Sequence, residues 1–95
     1  MFIVLLKFSD NRNQASQFMA SHNAWLKRGF DDGVFFLSGS LQPRLGGAII
    51  AGDISRSALQ ERIGDDPFVA AQVVSAEILD IAPAQTEPRL AHLLG

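Results

Sequence analysis

The N-terminal run MFIVLLKF is apolar on both sides of an extended chain, with Phe2, Val4, Leu6 and Phe8 on one face and Ile3 and Leu5 on the other. Successive side chains of a strand point in opposite directions, so a near-continuous apolar run needs cover on both faces. A chain of 95 residues has little material for two covers. A domain of this size buries only about 60–65% of the surface its unfolded form exposes. Yet 47% of the residues are hydrophobic and the mean hydropathy is positive. A second chain lying on part of this surface is the simplest resolution.

The rest of the chain says what the first cover is. Ser9-Asp10-Asn11 offers turn and N-cap chemistry. From about Arg12 to Asp31, Ala15, Phe18, Met19, His22, Trp25, Leu26 and Phe30 recur at spacings of three and four, one face of a helix. Gly29 and Gly33 read as its C-terminal punctuation. Val34–Leu41 reads as a second strand, with Phe35 and Leu37 on one face and Val34, Phe36, Ser38 and Ser40 on the other. Gln42–Gly47 reads as a hairpin-like connection, with Gly46-Gly47 as a turn. Ala48–Asp53 is a third strand in which Gly52 marks a bulge or a close backbone approach. Ser55 is a fair N-cap for a second helix, with Leu59 and Ile63 on its apolar side and Gly64 as its stop. Asp66-Pro67 opens a further short helical turn, because proline is preferred at the first helical position. Val73–Ala82 is the last strand, its face partly wet at Ser75, Glu77 and Asp80. The tail from about residue 83, with an apolar end at Leu90, Leu93 and Leu94, is expected to lie against a partner or to stay partly disordered.

The order β-α-β-β-α-β is that of the ferredoxin-like α+β fold, an antiparallel sheet with two helices on one face, in a single domain over residues 1–95. Two helices cover one face only. The other face predicts a homodimer packed sheet to sheet.

His22 has the strongest claim to chemistry. It sits mid-stripe on the first helix, where a polar group costs free energy unless it is partnered. Imidazole can both give and take a proton near neutral pH. The plain alternative is a core histidine bonded to a backbone carbonyl. A carboxylate could orient the ring, and Asp66 is the first candidate, although Asp before Pro is also an N-cap signature. Asp65 is an alternative that the sequence does not separate from it. Ser38-Gly39-Ser40 ends a strand, where Gly39 would let a ligand approach the backbone and the hydroxyls could bind it; ordinary strand-end chemistry is the competing reading. Arg44 could hold a carboxylate or phosphate, or be an exposed loop arginine. The two histidines lack metal-ligand spacing, so no metal is expected, nor an organic cofactor. There is no cysteine, no basic cluster for nucleic acid, and no apolar run of about 18–20 residues to cross a membrane. The N-terminus is too short for a signal segment, and a cytoplasmic location is the default.

His22-x-x-Trp25-Leu26-Lys27-x-Gly29, Gly33-Val34-Phe35-Phe36-Leu37-Ser38-Gly39, Pro43-Arg44-x-Gly46-Gly47-Ala48 and Asp66-Pro67-Phe68 together carry a family resemblance. From Met1 to about Ala82 the chain resembles YCII-related (YciI-like) proteins. The resemblance implies a dimeric α+β barrel, similar to muconolactone isomerase-type proteins, with a cleft in each subunit. It also implies that His22 and Asp66 form the active-site pair. One relative is a dehydrochlorinase acting on a chlorinated aromatic. Many relatives have proline after Ser-Gly where this chain has Ser40, which changes the outline of the pocket. The expected activity is a cofactor-independent lyase or isomerase acting by proton transfer on a small cyclic or aromatic-derived substrate. In this reading His22 and Asp66 are catalytic, and Ser38, Gly39 and Arg44 bind substrate. The alternative is a non-catalytic metabolite-binding or structural accessory dimer.

Overall fold

A computed structural model describes residues 1–94, with side chains up to His92. The strands are β1 (Phe2–Phe8), β2 (Phe35–Leu41), β3 (Gly46–Ala51) and β4 (Val74–Asp80). The helices are α1 (Ala15–Asp31), α2 (Arg56–Gly64) and α3 (Pro67–Ala70), with short 3₁₀ turns at Arg12–Gln14 and Pro88–Leu94. The four strands form one antiparallel sheet in the order β2-β3-β1-β4. This is the expected ferredoxin-like α+β arrangement. Among the described residues, no helix is long and apolar enough to cross a membrane.

The covered face of the sheet holds the core. Phe2, Val4 and Leu6 of β1 pack with Phe35, Ile49, Ala51 and Val74 against Trp25, Leu59, Ile63 and Phe68 from the helices. Trp25 ties α1 to α2 by donating its indole N–H to the Arg62 carbonyl at 2.9 Å. Ser55 caps α2 as expected, its Oγ accepting from the Ala58 N–H at 3.1 Å.

Four local readings change. First, β2 carries a bulge between Phe35 and Leu37. The extra residue shifts the alternation, so Phe35 and Ser38 share the covered face while Leu37 faces the open side opposite Ile50. Gly52 permits this, because a Cβ there would collide with the Phe36 ring. Second, Gly29 is not punctuation. It lies inside α1, and a Cβ there would land in the Phe35 ring. Gly33 ends the helix, at φ +74°. Third, Gly46 and Gly47 belong to β3 and pair with Lys7 and Leu6. Gly46 combines φ +133° with an approach to the Leu6 carbonyl that leaves no room for a Cβ. Fourth, Asn11 precedes the 3₁₀ turn without a side-chain cap bond; its Nδ2 instead donates to the Ala71 carbonyl at 2.8 Å, fastening the loop after β1 to the end of α3.

On the open face, Leu37, Leu79 and Ile81 are 53%, 41% and 39% exposed. In the tail, His92 lies edge-on to Phe36 of the same chain, ring centres 6.0 Å apart. The apolar tail end expected at Leu93 and Leu94 lies outside the described side chains.

Candidate functional site

His22 projects from the buried side of α1. Asp66 sits 44 residues on, at the N-cap of α3. Their Nδ1 and Oδ1 are 2.7 Å apart. A carboxylate only accepts, so Nδ1 carries the proton and donates it, leaving Nε2 as the free nitrogen of the neutral ring. Asp66 Oδ1 accepts a second bond, from the Phe68 N–H at 3.0 Å. One oxygen thus caps α3 and orients the imidazole together. Asp66 is fully buried, and its Oδ2 has no partner among the described residues. Asp65, the other carboxylate the sequence allowed, is exposed beside Arg62 and Arg28 in a separate surface groove.

Aromatic rings fix the imidazole plane. Phe68 stacks on His22 with centroids 4.0 Å apart and an angle of 8° between planes. Trp25 lies 5.8 Å away, at 27°. With one nitrogen held by a carboxylate and one ring face held by Phe68, the direction of Nε2 is largely determined.

His22 forms part of the wall of a cleft of about 300 Å³ between α1 and the sheet. That is the small end of ligand sites, suited to a single ring. Its apolar walls come from Leu6, Phe8, Met19, Leu26, Ile49 and Phe68. Ser38 and Gly39 line it, as does Ser40. A Cβ at Gly39 would meet nothing within 4 Å, so the cleft is open at that point. Arg44 does not line the cleft. It sits in the β2–β3 turn at φ +54°, and its carbonyl accepts from Arg12. Asn23, which the sequence reading passed over, contributes a polar group to the wall. A signal for it existed: it lies four residues after Met19 and three before Leu26, at the edge of the apolar stripe. Phe68 had a signal too, since the N–H two residues after an N-cap Asp is the one it bonds. Among the described residues, no three His, Asp or Glu side chains converge as metal ligands would.

The ferredoxin-like subunit thus carries a buried imidazole–carboxylate pair whose imidazole lines a small apolar cleft. The chain belongs to the YCII-related family, whose domain model matches residues 1–82. In structure it is similar to 5-chloro-2-hydroxyhydroquinone dehydrochlorinase (TftG) from Burkholderia phenoliruptrix AC1100, solved in complex with 2,5-dihydroxybenzoquinone. The TM-score is 0.68 at 14% identity, over 85% of this chain and 93% of that one. At that identity the likeness is one of fold. No curated protein matches the chain in sequence.

Proposed function

We propose that this protein is a small-molecule lyase or isomerase in which His22 moves a proton on a single-ring substrate. The observation that carries this reading is the 2.7 Å contact of Asp66 with His22, whose ring lines the cleft. The neutral ring, held by Asp66 at Nδ1, takes a proton at Nε2 and returns it to another position of the substrate. Alternatively, the proton leaves carbon as a leaving group departs from its neighbour. Asp66 stabilises the imidazolium formed in between. Ser38 and the Gly39 backbone position a substrate oxygen. A fold relative named for a dehydrochlorination supports the elimination form of this chemistry.

The active unit is proposed to be a homodimer joined through the open sheet faces, where Leu37, Leu79 and Ile81 stand exposed. The second reading is an accessory or binding protein, favoured by one observation: Asp66 Oδ1 also caps α3, a structural task that needs no substrate.

Incubation with 5-chloro-2-hydroxyhydroquinone, read by chloride release, and with 2,5-dihydroxybenzoquinone in D₂O, read by exchange of its ring protons, separates the two. Turnover or exchange that disappears in a folded His22→Ala variant supports proton transfer. Binding without either, and with no difference between wild type and His22→Ala, supports the second reading.

A further inference from the structure

We propose that Arg12 selects for a negatively charged ring at the mouth of the cleft. The inference rests on the cleft being a ligand site and adds the charge of what enters it. No lysine, arginine, aspartate or glutamate lines the cleft; its polar groups are His22, Asn23 and the two serines. A cation nevertheless stands against the wall from outside. The Arg12 guanidinium lies 4.2 Å from the centroid of the Phe8 ring, and its Nη2 donates to the Arg44 carbonyl at 3.1 Å. Phe8 lines the cleft, and so does Gly46, two residues after Arg44. The two anchors therefore hold the guanidinium against the Phe8 ring, beside the Phe8–Gly46 part of the wall.

Its pairing is unlike that of Lys27, Arg62 and Arg89 and like that of Arg56, whose Nη2 also bonds only a carbonyl, that of Ile78 at 3.5 Å. Lys27, Arg62 and Arg89 each have a carboxylate partner, whereas Arg12 is in no ion pair among the described residues. A guanidinium has five N–H donors, and the Arg44 carbonyl takes one of them. The remainder can meet a carboxylate or phenolate oxygen, the geometry for which arginine is suited. Asp66 does not line the cleft, so its carboxylate makes no direct contact with an anion there and does not compete for Arg12. A one-ring anion would thus have its charge at Arg12 and its ring between the apolar walls, facing the imidazole.

The test uses benzoate and benzamide, which share a ring and differ in charge, titrated into the full chain while the His22 ring signals are followed by NMR. Both probes should shift those signals, with benzoate bound about three- to tenfold more tightly, as expected for a single charge contact. In Arg12→Gln the preference should vanish while benzamide affinity stays the same. Arg12→Lys should restore part of it, and raising the salt should weaken it. Arg44→Gln should matter less than Arg12→Gln, since Arg44 anchors through its backbone. Equal affinity for the two probes in the wild type, or a preference that survives Arg12→Gln, would overturn the inference and leave the cleft reading standing. If neither probe moves the His22 signals, the cleft reading falls and the inference falls with it.

Discussion

The two faces of the sheet are built from alternate residues of the same strands, yet they have opposite fates. On one, Val4, Ile49 and Ala51 are at most 1% exposed under the helices. On the other, Leu37 is 53% and Leu79 41% exposed. The covered face lies under the helices, and the cleft opens within it. The open face mixes Ile3, Leu5, Leu37 and Leu79 with Lys7, Ser75 and Glu77, and has only the strands' own neighbours and part of the tail against it. The difference is one of cover: the covered face carries the stability of the fold and the wall of the cleft, while the open face leaves Leu37 and Leu79 to water.

Substitutions can break this division, and the largest effects belong on the covered side. Trp25→Ala removes the side chain that packs on Phe35 and bonds the Arg62 carbonyl, and should cost about 3–5 kcal/mol in denaturant unfolding. A loss under about 1 kcal/mol would mean that the helix layer is not what secures this face. Asp66→Ala leaves two buried donors, His22 Nδ1–H and the Phe68 N–H, without a partner, and should cost about 2–4 kcal/mol. Asp66→Asn should cost less, because a side-chain oxygen remains to accept. It should also blur the single imidazole tautomer, which ¹⁵N shifts of the His22 ring report directly.

The open face should respond in the reverse way. The double variant Leu37→Lys, Leu79→Lys should change subunit stability by no more than about 0.5 kcal/mol, since both side chains already meet water. In sedimentation it should turn a dimeric wild type into a monomer. If the wild type is already monomeric at the highest soluble concentration, the open face is not a subunit interface. The smallest effect is expected on the outer side of α1, away from both faces. There Lys27→Gln breaks an exposed pair with Asp31 and should cost about 0.3–0.5 kcal/mol, measurable at low salt and lost at high salt.

Much of the fold was legible because its signals are local. The apolar run of β1, the spacing of three and four from Phe18 to Leu26, Ser55 as a cap and Asp66-Pro67 as a helix start each depend on a few neighbouring residues, and each appears where expected. The ferredoxin-like fold class followed from the order of the elements, and the strand order β2-β3-β1-β4 agrees with it. The faces of β2 were read wrongly, because one bulge residue reverses every later side chain and has no short-range signature beyond Gly52 across the sheet. Gly29 was misread for a related reason. A glycine near a helix end looks like a stop, while its actual use is to admit the Phe35 ring from another element.

The sequence by itself determined the α+β architecture, the polar residue on the stripe of α1 and the two carboxylates that could serve it, since periodicity, capping and turn chemistry act over one or two turns of chain. The tertiary structure decided that Asp66 reaches His22 while Asp65 faces outward, that Phe68 stacks on the imidazole, and that Arg12 bonds the Arg44 carbonyl beside the Phe8 ring. Those contacts join residues tens of positions apart. They exist only because close packing of helix against sheet leaves each side chain one place to go.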